Sequence, residues 1–458
     1  SPHSPKNPFP SIWIMADDLG YGEVGAYPCD SPHGRIATPN LDKFAAEGMR
    51  FTDAYAGYTV CAPSRTTFFT GRHSGQFKKY GLPGTSLSAN NTATKTLSPT
   101  LLQEAGYTTA AFGKVAPLDS PVDQGFGTFL GQVNQAYCHN MYPHAVDSGR
   151  EQLNVNLTLN WKEKNRNLTM ANPDAFNYTV DITHTSGKEW LDAYVSQQSD
   201  KPFFLYLAYT VPHAGGWGTA PEAPEQGAPV PTDGQYTNHS WPDVERDHAS
   251  VITYLDNYVG GLMGQLQELG IDEDTIVFFA SDNGAHLEGG HNYHFFNSTG
   301  GLLGHKRSLF EGGMRSPSMV RWPSVVPNNV ISTHQWAFWD ALPTFMDLAG
   351  RPDLTPTDID GISFYPTLTG SGTQANHSYL YWTWDGTGAV RVDNWKGVVP
   401  HCADTSTSTP SKDDPLQLYD LSMDPFETTD IASKHPDVVA SMLTAVINAD
   451  ISCDCYQC

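Results

Sequence analysis

Long apolar runs are missing from this 458-residue chain. No stretch approaches the roughly 18 consecutive apolar residues that cross a bilayer, so a membrane-spanning helix is excluded from the reading. Charge is scarce as well: Asp, Glu, Lys and Arg make up 16% of the residues, against about 25% in ordinary soluble domains. Basic residues are the minority, 26 Lys and Arg against 49 Asp and Glu, for a formal net charge of −23. Such a field disfavours nucleic acid and anionic membrane surfaces as partners, although a few local cations suffice to bind a small anion. Cysteine is sparse and odd in number, seven in all, which leaves one thiol over if the others pair. The opening SPHSPKNPFP shows no apolar leader and reads as a processed N-terminus.

Glycine (41) and proline (33) are plentiful, the composition of long structured loops. Asn-x-Ser/Thr sequons stand at Asn90, Asn156, Asn167, Asn177, Asn238, Asn297 and Asn376, none with proline in the middle. Chance supplies a few. This many point to an N-glycosylated protein of the secretory pathway, secreted or lysosomal. The tail CDCYQC reads as a disulfide staple; zinc is disfavoured there because no histidine stands nearby. Cys61 is the candidate for the odd thiol.

Several short apolar runs end in polar residues. SIWIMADD ends in Asp17 and Asp18, TTAAFGK in Lys114, and DTIVFFASDNG in Asp282 and Asn283, while PFFLYLAYTVPH leads to His213. Near-continuous apolar strands belong to parallel sheets covered on both faces. Helical patterns fall between them: TPNLDKFAAEGMRF with Thr38 as N-cap and Pro39 in the first turn, SPTLLQEAGY with Ser98 and Pro99 in the same roles, and an amphipathic stretch over 247–270. The alternation predicts a doubly wound α/β fold with a mixed, mostly parallel sheet flanked by helices. Beyond about residue 370, HSYLYWTWDGTGAVRVDNWKGVV alternates aromatic and polar residues around Asp-Gly turns, which predicts antiparallel strands; a helix at about 436–448 follows. The chain is divided accordingly into a domain over 1–372 and a smaller C-terminal α+β domain over 373–458. Residues 214–240 read as a long Gly/Pro-rich loop near the site entrance, and 405–414 (TSTSTPSKDD) as a solvated surface loop.

In a doubly wound sheet, ligands gather beyond the carboxyl ends of the strands, where these polar residues sit. Asp17, Asp18 and Asp282 crowded together would repel one another, and a cation relieves the conflict. Oxygen donors favour Ca2+ or Mg2+ over zinc, and Ca2+ tolerates irregular geometry and more protein ligands. An Asp-Asp pair alone reads more readily as an ordinary loop start. Cys61 opens CAPSRTTFFTGR, where Pro63 marks a helical first turn. A helix start offers unpaired N–H groups to an anion, and Arg65 one turn in can fork onto sulfate or phosphate. On these grounds alone Cys61 is a disulfide half, a buried thiol, a nucleophile or a chemically altered residue.

CAPSR followed by TGR resembles the type I sulfatase signature C-x-P-S-R-x-x-x-x-x-G-R. IMADDLGYGEVG, TPNLDKFAAEGMRFTDAYAG, FFASDNGAHLEGGH, GHKRSLFEGGMRSPSMVRWP and LYDLSMDPFETTDIASKHPDVV resemble further segments of that family, so the resemblance covers most of the chain. It implies an alkaline-phosphatase-like scaffold and conversion of Cys61 to Cα-formylglycine by a formylglycine-generating enzyme. It further implies that one hydroxyl of the hydrated aldehyde attacks sulfur and that the second drives expulsion of sulfate. By the same resemblance Asp17, Asp18, Asp282 and Asn283 are the calcium ligands, with modified Cys61 completing the set. Arg65 steadies the aldehyde hydrate, Lys114 and Lys306 contact sulfate, and His213 stands near the leaving oxygen; His213 or Lys306 is the candidate general acid.

One position departs from the pattern. Many sulfatases read G-K-x-H where this chain reads GKVA, with Ala116 in the histidine's place. His286 and His291, which follow the second metal strand, are candidates to stand in or to bind substrate. GQVNQAYCHNMYP resembles sulfatases acting on sulfated sugars and aryl sulfates, and Trp217, Trp241, Trp382 and Trp384 are candidates to stack on sugar rings or, equally, to be core. The expected activity is removal of sulfate from carbohydrates, with aryl sulfates as further substrates. The rival readings are a phosphomonoester or phosphonate ester hydrolase of the same scaffold and a non-catalytic sulfatase-like binding protein.

Overall fold

In a computed structural model of the chain, Ser11–Asp17 form strand β1, buried along its whole length. The structure describes residues 8–449 except 83, 136, 144, 150, 155–176, 216–226 and 400–414. The tail CDCYQC, the 405–414 loop, part of the Gly/Pro-rich segment (216–226, with Trp217), and the sequons at Asn156 and Asn167 lie outside the described residues. Side chains leave a strand alternately to its two faces, and both faces of β1 are covered. Ile12, Ile14 and Ala16 pack with Leu41, Leu191, Ile252 and Leu255. Trp13 and Met15 pack on the other side with Phe68, Phe69, Leu101 and Phe345.

The strands that follow are β2 (Met49–Phe51), β3 (Ala54–Tyr55), β4 (Thr108–Lys114), β5 (Thr128–Gln132), β6 (Ala145–Ser148), β7 (Glu151–Asn154), β8 (Phe203–Pro212), β9 (Ile276–Ser281), β10 (Ser318–Arg321), β11 (Val330–Ser332) and β12 (Trp336–Ala337). One ten-stranded sheet has the order β11-β2-β10-β9-β1-β8-β4-β5-β6-β7, while β3 and β12 pair separately. The five central strands β9, β1, β8, β4 and β5 run parallel. Antiparallel partners flank them, β10 beside β9 and β6 beside β5. The sheet is therefore parallel where both faces are buried, as its apolar runs require. Helices α1 (Pro39–Ala46), α4 (Thr179–Ser196) and α5 (Asp243–Glu268) cover one face. Helices α2 (Cys61–Thr70), α3 (Ser98–Glu104) and α6 (Ala341–Leu348) cover the other.

Two helix starts differ from expectation. Leu97, not Ser98, is the N-cap of α3, and Ser98 is its first residue. Helix α5 begins at Asp243, a turn before the apolar periodicity, behind Pro242 and with Asp243 and Glu245 in its first turn, where negative charge favours a helix N-terminus.

Strands β13 (Leu380–Trp384), β14 (Thr387–Val392), β15 (Trp395–Val399) and β16 (Gln417–Asp420) make a four-stranded antiparallel sheet. Helix α7 (Pro436–Ala449) covers one face through Met442 and Val446. The other face has no core of its own: Leu380, Trp382 and Ala389 share a cluster with Tyr55, Met314 and Trp339. Trp382 is fully buried, with Nε1 donating to Ala56 O at 2.9 Å, so of its two readings it is the core residue and not the sugar platform. Trp241 packs on Phe296, and partly exposed Trp384 lies beside Tyr58.

Asp340 ties the approach to this sheet to the helical layer. Its carboxylate accepts from Ala337 N at 2.9 Å and Ile362 N at 2.8 Å, and meets His377 Nε2 at 2.8 and 3.0 Å. Burial alone would lower the His377 pKa, but the Asp340 carboxylate outweighs it and holds the imidazole above its ordinary value. A histidine raised in this way stabilises the fold fully below its unfolded pKa, and that contribution is lost as pH rises through the folded value. His377→Ala is expected to cost about 1–3 kcal/mol below about pH 6 and clearly less near pH 9, read by urea unfolding. An equal loss at both pH values would contradict the charged pair.

Candidate active site

Four neighbouring parallel strands bring distant residues together. β9 is followed by Asp282 and Asn283, β1 ends in Asp17 and Asp18, β8 is followed by His213, and β4 ends in Lys114. All six are buried. Asp18 takes a left-handed backbone, φ 66°, which turns the chain sharply out of the sheet.

Cys61 arrives from the opposite layer as the first residue of α2. That helix is buried almost throughout, so its polar side chains need internal partners. The hydroxyls of Thr66, Thr67 and Thr70 donate to the carbonyls of Ala62, Ser64 and Thr66. Gly71 ends the helix at φ 69°, a conformation open to glycine at little cost. Arg65, also buried, reaches Asp282 Oδ2 at 2.9 Å through Nε and 2.7 Å through NH2, and donates to Lys114 O at 2.6 Å.

Two buried lysines complete the charge pattern. Lys114 Nζ lies 2.6 Å from Asp17 Oδ2. Lys306 Nζ lies 2.7 Å from Asp18 Oδ2, 2.9 Å from His213 Nε2 and 3.0 Å from Glu288 Oε2. Close backbone packing brings Lys306 in: a Cβ at Gly284 would sit 1.9 Å from Gly312 O, and Lys306 N donates to Ala285 O at 2.8 Å.

The electrostatics follow from crowding in a dry site. Burial pushes the Asp17 carboxyl up, but Lys114, His213 and Arg65 outweigh it and hold it well below the usual range. Burial and the neighbouring Asp17 push Asp282 up to about 7. Burial raises the Cys61 thiol far above its ordinary value, so the thiolate that would make cysteine a nucleophile is scarce.

Among the four expected metal ligands at the strand ends, Asp17 Oδ1 and Asn283 Oδ1 are buried without a hydrogen-bond partner. They come from adjacent strand ends, beside an Asp282 whose protonation burial and Asp17 favour. Cys61 Sγ, one oxygen each of Asp17 and Asp18, and a His213 nitrogen lie within 4.8 Å of one another. An oxygen-rich, anionic donor set with unpaired lone pairs fits a hard divalent cation.

Of the other expected site residues, His286 braces the pocket. Its Nε2 donates to Pro212 O at 3.1 Å and its Nδ1 accepts from Glu288 N at 3.0 Å. His291 is not brought to Cys61. Its Nδ1 pairs with Glu245 at 2.7 Å, and its ring stacks on His248, centroids 3.6 Å apart. Sequence reasoning passed over Glu288, Gln135 and His139. Glu288 touches both Lys306 and His213, Gln135 Nε2 reaches Cys61 Sγ at 3.7 Å, and His139 Nε2 lies 3.1 Å from Lys114 Nζ. The strand-end rule that found Lys114 applies equally to the loop after β5, the parallel neighbour of β4. Cys29, Cys61 and Cys138 all carry free thiols, so Cys61 is not singled out by being unpaired as expected.

The sulfatase family model matches residues 11–351, well over half of the chain. The chain belongs to the sulfatase family. Residues 302–450 match a second family model, the C-terminal part of N-sulphoglucosamine sulphohydrolase. The sulfatase is 30% identical over 401 residues to N-acetylgalactosamine-6-sulfatase of Canis lupus familiaris, covering 84% of this chain and 70% of that one. It is 31% identical to arylsulfatase A of Homo sapiens, covering 94% and 85%. Its fold is that of the crystal structure of Ps i-CgsB in complex with k-i-k-neocarrahexaose, with a TM-score of 0.75 at 24% identity, covering 97% of this chain and 93% of that one. The chain is a sulfuric ester hydrolase. Among the described residues of the sulfatase no helix is long and apolar enough to cross a membrane.

If the orphaned oxygens await a cation, metal-free sulfatase should melt at a higher temperature as Ca2+ or Mg2+ is added. The stabilisation should approach about 2.7 kcal/mol at a hundred times Kd. Asp17→Asn should blunt the rise. A melting temperature indifferent to millimolar divalent cation would mean that these residues hold none.

Proposed function

We propose that this sulfatase removes sulfate from sulfated carbohydrates, and from small aryl sulfates, with Cα-formylglycine made from Cys61 and a bound Ca2+. The observation that carries the reading is the placement of Cys61. It opens a buried helix inside the signature motif, beside two orphaned oxygens and two buried lysines. A thiol held protonated by burial is a poor nucleophile, which supports an altered residue over cysteine itself. The hydrated aldehyde supplies a hydroxyl nucleophile and a second hydroxyl that helps expel sulfate.

The chain's own residues divide the remaining work. Asp17, Asp18, Asp282 and Asn283 would hold Ca2+, with residue 61 as a further ligand; Mg2+ asks for a stricter octahedron. Arg65 fixes the Asp282 side of this cage. After Asp17 and His139, Lys114 keeps one N–H for a sulfate oxygen; the three N–H of Lys306 meet Asp18, His213 and Glu288, so one must leave its partner to reach sulfate. His213 donates Nδ1–H to Ala214 O at 2.7 Å and offers Nε2 to Lys306, so the pair can deliver a proton to the leaving alkoxide.

Cys61 is 1% exposed, so a formylglycine-generating enzyme must reach it before the fold closes. Passage through the secretory pathway supplies that opportunity. The sequons at Asn90, Asn238 and Asn376 are exposed and open to glycosylation. Asn297 is bound on both sides, donating to Asp30 O at 3.2 Å and accepting from Gly301 N at 2.9 Å.

Inorganic sulfate release from defined sulfated saccharides and an aryl sulfate, run beside the matching aryl phosphate, tests the reading. Sulfate turnover should exceed phosphate turnover by at least about 100-fold. The residue-61 peptide should carry an aldehyde, and Cys61→Ala should lose at least about 1,000-fold in kcat. Faster phosphate than sulfate turnover would favour a phosphoryl-transfer enzyme on the same site. An unaltered thiol with no turnover would favour a binding protein.

A further inference from the structure

Two lysine–imidazole pairs converge on Cys61. In one, Lys306 Nζ lies 2.9 Å from His213 Nε2; in the other, Lys114 Nζ lies 3.1 Å from His139 Nε2. The two rings stack face to face, centroids 3.8 Å apart and 8° from parallel. Cys61 Sγ and one nitrogen of each ring lie within 4.8 Å of one another. Each imidazole thus presents a nitrogen to the position where residue 61 reacts.

The surroundings of the two pairs differ. His213 and Lys306 share Asp18 and Glu288, and Glu288 in turn meets Arg307, whose side chain is 42% exposed. Glu288 thus links this pair to a side chain that reaches solvent. Lys114 and His139 border Asp17, which is fully buried. The loop that carries His139 also brings Gln135 to Cys61 Sγ. Ala116, where G-K-x-H would place a histidine, is buried and has no group that exchanges a proton. With Lys114 as an ammonium donor, His139 Nε2 is the accepting nitrogen of its ring.

We propose that His139 is a catalytic residue that serves residue 61 itself, while His213 serves the leaving group. The proposal rests on the formylglycine reading above. After sulfate has been transferred to one hydroxyl of the hydrated aldehyde, His139 Nε2 takes the proton of the other hydroxyl, exchanging it for the Lys114 hydrogen bond. That O–H electron pair forms the aldehyde C=O, the carbon–oxygen bond to sulfate breaks, and sulfate leaves with the bonding pair. Rehydration of the aldehyde consumes one water, and His139 returns its proton to solvent.

His139→Gln tests the assignment. The amide keeps an acceptor for Lys114 and most of the ring's volume but does not take up a proton; His139→Ala is the companion variant. Aldehyde formation precedes folding, so both should carry it, as the mass of the residue-61 peptide will show. With an aryl sulfate, both variants should release one equivalent of phenol per site in a burst and then turn over about 100- to 10,000-fold more slowly than the parent. KM should fall together with kcat, and acid quenching should trap a sulfate ester on the residue-61 peptide. His213→Ala should instead lose the burst. Turnover of the His139 variants within about threefold of the parent, or slow turnover with no trapped ester, would overturn the assignment while leaving the parent reading intact. A parent enzyme without aldehyde or sulfate release would sink both.

Discussion

Everything in this molecule depends on keeping six opposed charges out of water together. Asp17, Asp18 and Asp282 face Arg65, Lys114 and Lys306, and each is buried. Charges in such a place are tolerable only when paired and hydrogen-bonded, and removal of one partner typically costs about 3–5 kcal/mol. The pairing here is close, with contacts of 2.6 Å from Lys114 to Asp17, 2.7 Å from Lys306 to Asp18 and 2.7 Å from Arg65 to Asp282. It is still incomplete, because Asp17 Oδ1 and Asn283 Oδ1 have no protein partner. The same incompleteness that makes the site costly is what the proposed cation would relieve.

The fold exists to hold that arrangement rigid. Five parallel strands, their faces sealed by two hydrophobic clusters, place their carboxyl ends in one row. Helix α2 brings Cys61 to that row from the layer beneath, anchored by Phe68 and Phe69 in the core. The C-terminal sheet adds no charge to the row, but it shares a core with the strand and loop segments beside it. A site built on strand ends and a buried helix start is held to a tolerance that loops alone do not reach.

Much of this was legible in the residues. Buried parallel strands announce themselves as short apolar runs, and the polar residue that ends each run marks the row. His139 and Glu288 escaped because each stands several residues beyond its strand end, His139 after β5 and Glu288 after β9, farther than the strand-end rule was carried. His291 looked equivalent to His286, yet packing against His248 and Glu245 draws it into another cluster. Trp382 could be read as sugar platform or as core because alternation in an antiparallel strand does not say which face meets a second core. The unpaired state of Cys29 and Cys138 was likewise invisible, since cysteine spacing carries no distance.

The central claim is that the charge pattern around residue 61 is a cation cage shared with a sulfate site. A crystal structure of the sulfatase grown with Ca2+, with the ion located by its anomalous scattering, tests it most directly. The account predicts one ion bound by Asp17, Asp18, Asp282 and Asn283, touching both orphaned oxygens and an oxygen of the altered residue 61. An empty cage, with Asp17 Oδ1 and Asn283 Oδ1 bridged by water alone or Asp282 neutral against its neighbours, would contradict it.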